Sequence, residues 1–109
     1  MDKNNFKRKG GGAVGVRFVD EHTRALKILV TSSNQICLNM LEGLANSLLR
    51  EFISSKSRVN HNGGMLMHFS SQAGIDESLG KIVSVVSGAD TKANITVYNY
   101  NLPTAREAS

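Results

Sequence analysis

The chain has 109 residues, 13 of them Lys or Arg and 9 Asp or Glu, with a formal net charge of +4 at pH 7. Its length corresponds to a single domain, since domains run roughly 100–200 residues, and 40% hydrophobic against 20% charged residues indicates a folded chain and not a disordered one. No apolar run approaches the roughly 18 residues that cross a bilayer, and the polar first residues do not match a signal peptide, so we expect a protein of the cytoplasm, nucleus or nucleoid that is neither secreted nor membrane-bound.

A flexible basic arm is predicted for residues 1–12. Positive charge is concentrated at this end, because residues 1–30 contain seven basic and three acidic side chains whereas residues 31–109 contain six of each. Lys7-Arg8-Lys9 is followed by Gly10-Gly11-Gly12, a run with high backbone entropy and nothing apolar to hold it to a core. Such an arm can neutralise a polyanion, although basic tails also serve only to keep proteins soluble. We expect one folded domain at 13–103 and a tail at 104–109.

The first half of the domain has a strand pattern followed by a helix pattern. Apolar residues alternate over Val14–Val19, and a second β-rich run covers Ala25–Thr31, which predicts a hairpin or two sequential strands. Ser32-Ser33-Asn34 can then cap a helix. Apolar residues at three- and four-residue spacings predict that helix near 34–55, and the residues from 54 to 64 form a polar linker.

The second half repeats the change from strand to helix. Met65–Phe69 is nearly continuous apolar, which predicts a mid-sheet strand covered on both faces. Apolar spacing from Ile75 to Val86 predicts a helix, with Asp76 and Glu77 in its first turn and Gly88 at its end, although 81–88 could equally be a strand. The alternation from Asn94 to Tyr100 predicts a last strand, which ends before Pro103.

These elements predict an α/β domain, an α+β two-layer sandwich with the order β-β-α-β-α-β. We expect a mixed sheet with both helices on one face, the simplest packing for so few elements. The other face of the sheet is then left for solvent, a dimer partner or a ligand.

Motifs for enzyme chemistry are weak in this sequence. Gly10, Gly12 and Gly15 fit the dinucleotide-binding spacing but precede a strand instead of following one. The paired acids at 20–21 and 76–77 lie at a turn and a helix start, where acids are commonly solvated or capping. The single cysteine, Cys37, lies on an apolar helix stripe, so we expect a buried thiol and neither a disulfide nor a zinc site. We predict no enzyme activity, cofactor or metal.

A nucleic-acid site is the constellation that remains. Basic side chains on a tether contact phosphates without sequence preference. Tyr98 and Tyr100, which we expect on one face of the last strand, can stack unpaired bases, and helix N-termini after strands can accept phosphate. The tyrosines, with His68 beside them, would equally suit a dimer interface, and capping alone would explain the polar residues at the helix starts. The candidate nucleic-acid-binding residues are Lys3, Lys7, Arg8, Lys9, Arg17, Arg24, Lys27, Ser32, Ser33, Gln72, Tyr98 and Tyr100.

The stretch from Leu26 to Leu102 resembles the Alba superfamily of small chromatin and RNA-binding proteins. Lys27–Ser33 leading into Ile36–Leu49 is similar to the first strand and helix of that family, and Met67–Leu79 to its second strand, loop and helix start. The family's basic loops are replaced here by Ser32-Ser33-Asn34 and Ser70-Ser71-Gln72. The C-terminal domain of translation initiation factor 3 and the stage V sporulation protein S have a similar order of elements.

The sequence therefore predicts a non-enzymatic protein that binds RNA or DNA through its basic arm, as a homodimer. The alternative is an assembly module whose uncovered sheet face mediates oligomerisation without nucleic acid.

Overall fold

A computed structural model describes residues 14–59 and 63–100. Their elements are β1 (Gly15–Val19), β2 (Leu26–Thr31), α1 (Gln35–Leu48), β3 (Ile53–Val59), β4 (Gly64–Phe69), α2 (Gln72–Ala89) and β5 (Asn94–Tyr98). These five strands form one sheet in the order β1-β5-β2-β4-β3. From β2 to β5 the chain has the β-α-β-β-α-β order of a split βαβ domain, and neighbouring strands in this part are antiparallel, whereas β1 pairs with β5 in parallel.

Both helices pack on the same face of this mixed sheet, which confirms the predicted two-layer fold. Leu41 of α1 and Ile82 of α2 are fully buried together with alternate strand residues such as Ile28, Met67 and Ile95. Because strand side chains alternate between the two faces, the residues between these buried ones lie on the face opposite α1 and α2. We call that side of the sheet the open face.

The ends of the helices are set by local hydrogen bonds. Asn34 is the cap of α1, its Oδ1 accepting from the Cys37 N–H at 3.1 Å, and Ser71 caps α2 by accepting from the Gly74 N–H at 3.2 Å. The prediction that α1 extends to residue 55 was wrong. The helix ends at Leu48, and Arg50 takes a φ of 78°. Phe52 nevertheless packs against the core, so the apolar spacing in the sequence continues past the end of the helix.

Strand β3 lies where a polar linker was predicted. It is an edge strand with solvent on one side, and its polar side chains are accommodated on both faces. Lys56 and Arg58 point to the helix layer, where both bind the Glu42 carboxylate of α1 at 3.1 and 3.2 Å. Ser55 and Ser57 lie on the open face. No apolar alternation therefore marked this strand in the sequence.

Three smaller expectations are also resolved. β1 and β2 are two sequential strands and not a hairpin, because β5 lies between them. β4 is an interior strand, as predicted, but only its Met65, Met67 and Phe69 side lies under the helices. Residues 81–88 are helical, since α2 runs from 72 to 89, and its acids at 76 and 77 therefore lie beyond the first turn.

Candidate nucleic-acid interface on the open face of the sheet

The strand registers arrange the open face in rows that cross the sheet. The row nearest the end of β5 has Tyr98 and Lys27 at its centre, and the next row has Leu29 and Leu66 at its centre. We call them the tyrosine row and the leucine row. The tyrosine row contains Val19, Tyr98, Lys27, His68 and Ser55, and the leucine row contains Arg17, Thr96, Leu29, Leu66 and Ser57.

Lys27 is the centre of the tyrosine row. Its ammonium lies 4.9 Å from the centroid of the Tyr98 ring, within the range of a cation–π contact. The same ammonium lies 2.9 Å from Oε1 of Glu21, in the loop between β1 and β2. The hydrogen bond from Lys27 is the largest effect lowering the pKa of Glu21 below its ordinary value. On the other side of Lys27, the His68 Nδ1 lies 3.5 Å from the Ser55 Oγ.

Asn99 holds the β1–β2 loop against this row. Its φ of 61° is a left-handed conformation that Asn tolerates better than most residues. Its Nδ2 donates to the carbonyls of Thr23 and Ala25 at 3.0 and 2.8 Å, and its Oδ1 accepts from the Glu21 N–H at 2.7 Å. Sequence reasoning missed Asn99, because an Asn after a strand is an ordinary turn residue.

The β1–β2 loop and Lys27 line an open depression of ≈ 820 Å³. The lining residues are Asp20, Glu21, His22, Thr23 and Lys27, and the exposed Arg24 follows Thr23 in the same loop. The depression therefore brings charged groups of both signs close to the Lys27 ammonium, which contacts the Tyr98 ring.

Tyr100 was predicted to share a face with Tyr98, and this prediction was wrong. β5 ends at Tyr98, and the left-handed conformation of Asn99 turns the chain toward the helix layer. The Tyr100 ring packs on Phe18, with centroids 5.6 Å apart, and its hydroxyl donates to Asp76 of α2. Tyr100 therefore anchors β5 and β1 to α2 and does not contribute to the open face.

This anchor predicts a stability effect at alkaline pH. The Asp76 hydrogen bond is the largest effect raising the pKa of Tyr100, burial adds to it, and the Gln72 side chain opposes it. A raised pKa means that the bond stabilises the fold fully below the ordinary tyrosine pKa and that this contribution is lost as pH rises through the raised value. Tyr100→Phe should cost about 0.5–1 kcal/mol near neutral pH, and this cost should shrink as pH rises from the ordinary tyrosine pKa through the raised value. Urea unfolding across the alkaline range measures both the cost and its change with pH.

Tyr98→Phe is the control for this prediction. A difference in unfolding free energy between the wild type and Tyr100→Phe that does not shrink at high pH would contradict this role of Tyr100.

The polar residues at the two helix starts do not form one site. Leu26 pairs with Phe69 and Thr31 with Gly64, so the antiparallel strands β2 and β4 end at opposite edges of the sheet. Ser33 lies exposed at one edge, and Gln72, at the start of α2, lies half-buried at the other.

Ser32 has a structural role. It is buried, its hydroxyl donates to Asp90 Oδ2 at 2.6 Å, and it accepts from the Asn34 N–H at 3.0 Å. These bonds connect the end of β2 to the start of α1 and the end of α2. Cys37 is fully buried beside this network, as predicted, and burial raises the pKa of its thiol.

The structure thus brings together only part of the predicted site. Arg17, Lys27 and Tyr98 share the open face, and Arg24 lies in the adjoining loop. The arm cations Lys3, Lys7, Arg8 and Lys9 lie outside the described residues. Within residues 14–59 and 63–100, no helix is long and apolar enough to span a membrane.

Comparisons with protein-family models, with curated proteins and with solved structures each return no match for this chain. The resemblance to the Alba superfamily therefore stays a prediction, drawn from an order of elements that lacked β3.

Proposed function

We propose that this protein binds single-stranded RNA or DNA on the open face of its sheet, with the basic N-terminal residues as additional phosphate contacts and without enzyme activity. The observation that carries the proposal is the tyrosine row. It presents an aromatic ring beside a lysine and a histidine on the sheet face that neither α1 nor α2 covers. Proteins that bind single strands combine stacking rings with a basic surface in this way.

The distribution of charge supports the same face. Its charged strand residues, Arg17 and Lys27, are both basic, and in the described ranges no acid occupies a strand position there. On the helix side, Lys56 and Arg58 of β3 share the single carboxylate of Glu42. The strand positions of the open face contribute positive charge from Arg17 and Lys27, and this charge attracts phosphate.

A sheet face with a half-buried ring favours unpaired bases over a duplex. Stacking requires a base face that is not covered by its neighbours, as in loops and single strands. Reading the major groove of duplex DNA instead requires an inserted helix or ribbon, and both helices here lie under the opposite face of the sheet.

Removal of the Tyr98 ring tests this proposal. Tyr98→Ala should weaken binding of a labelled single strand of about 16 nucleotides by roughly 5- to 150-fold, the range expected for the loss of one stacked base. Tyr98→Phe keeps the ring and should bind as the wild type does. Tyr100→Phe, on the opposite face, is the matched control. Fluorescence anisotropy measures all three, and wild-type affinity in Tyr98→Ala would contradict the proposal.

A second candidate is assembly of two copies through the open face. Leu29 and Leu66 pair directly across β2 and β4, and Val59 at the same face is 40% exposed. Such a patch is self-complementary about a two-fold axis. Light scattering of the wild type and of Leu66→Glu distinguishes the candidates. A dimer that Leu66→Glu dissociates supports assembly, and a strict monomer at all concentrations counts against it.

A further inference from the structure

The position of Glu21 is fixed independently of the lysine that it binds. Its backbone N–H donates to Asn99 Oδ1 at 2.7 Å, and its Oε1 accepts from the Thr23 hydroxyl at 3.2 Å. The Lys27 ammonium reaches that same oxygen, at 2.9 Å. The carboxylate is therefore presented to Lys27 by the loop and by the turn after β5.

The pair lies where the proposed ligand would place a phosphate. Lys27 lies between Glu21 and the Tyr98 ring, and a nucleotide whose base stacks on that ring carries its phosphate within reach of the same ammonium. The side chains of Lys27 and Glu21 remain 18% and 33% exposed, so a ligand can approach both. The carboxylate and the phosphate thus compete for one cation.

We propose that Glu21 is an internal competitor for phosphate, which holds Lys27 in the free protein and is displaced when a nucleic acid binds. This inference rests on the proposed single-strand binding and assigns Glu21 the control of its affinity and salt dependence. Displacement leaves an unpaired carboxylate that takes up a cation from solution. That uptake offsets the counterion release gained at the phosphate.

Neutralising Glu21 should therefore make binding both tighter and more sensitive to salt. Glu21→Gln should raise the affinity roughly 2- to 5-fold at low salt, the range expected for release from one exposed ion pair. It should also steepen the dependence of log K on log salt by about 0.7, the value for one phosphate contact on a single strand. Anisotropy titrations of a labelled single strand at several salt concentrations measure both quantities.

Two further variants separate this competition from a general loss of negative charge. Asp20→Asn removes the same charge from the neighbouring exposed position, and it should leave the salt dependence unchanged. Lys27→Met should abolish the gain, so that the double variant Glu21→Gln, Lys27→Met binds as Lys27→Met alone does. Equal effects of Glu21→Gln and Asp20→Asn, or a gain that survives the loss of Lys27, would overturn the inference. The proposed function fails separately, and the inference with it, if the wild type binds no single strand.

Discussion

Deletion of residues 1–12 should flatten the salt dependence of single-strand binding more than any other change. The segment contains four cations, Lys3, Lys7, Arg8 and Lys9. Each phosphate contact on a single strand contributes about 0.7 to the slope of log K against log salt. The slope of log K against log salt should therefore be shallower by about 3 for the truncated protein. A fourfold rise in salt should then weaken its binding by a factor about 50 times smaller than the factor for the full chain.

A matched variant distinguishes charge from length. Replacing the four cations together, as Lys3→Gln, Lys7→Gln, Arg8→Gln and Lys9→Gln, keeps the tether and should reproduce the effect of the deletion. Anisotropy over a range of salt concentrations gives both slopes. If the truncated chain binds with the affinity and slope of the full chain, the assignment of phosphate contacts to the arm is wrong.

Among glycine-to-alanine substitutions at turns of this protein, Gly63→Ala should be the most destabilising. Gly63 directly precedes β4 and has a φ of 76°, and an added Cβ would clash with the Ser32 carbonyl oxygen. The carbonyl of Gly63 also accepts from the Ser32 N–H at 3.0 Å. Backbone strain and a weakened hydrogen bond should together cost about 2–4 kcal/mol of unfolding free energy, measurable by urea denaturation.

Gly43→Ala is the control for this substitution, because Gly43 lies within α1 and an added Cβ there would meet no atom within 4 Å. Alanine removes the entropic cost of a helical glycine and should stabilise the protein by about 0.5–1 kcal/mol. The two glycine replacements thus have opposite predicted signs. Equal effects would show that the close approach of Gly63 to Ser32 does not govern stability.

The parts of the fold with an apolar period could be predicted from the sequence, and β3 could not. α1 and α2 show their buried stripes directly, and Ile28 and Val30 mark the core side of β2. The polar residues of β3 are satisfied by Glu42 and by solvent. The amino-acid sequence alone does not show such contacts between residues far apart in the chain. The strand was therefore indistinguishable from a linker.

The strand that was not predicted also changes where the two helix starts lie. Without β3, a strand after α1 runs parallel to β2, which places both helix starts at the same sheet edge. With β3 present, β4 runs antiparallel to β2, and Ser33 and Gln72 lie at opposite edges. The pairing of β2 with β5, which alternation within each strand does not reveal, places Lys27 and Tyr98 on the same face. The turn at Asn99, which moves Tyr100 to the helix layer, depends on its tertiary hydrogen bonds to residues 19–25.

Direct binding by the full chain tests the central claim, that this protein recognises single strands through a basic and aromatic surface. The measurement is fluorescence anisotropy with labelled single-stranded RNA, single-stranded DNA and duplex DNA at about 50 and about 200 mM salt. We predict tight binding to at least one single strand, a steep loss of affinity at the higher salt concentration, and weaker binding to the duplex. An absence of binding to all three at the lower salt concentration would contradict the account and favour the assembly function.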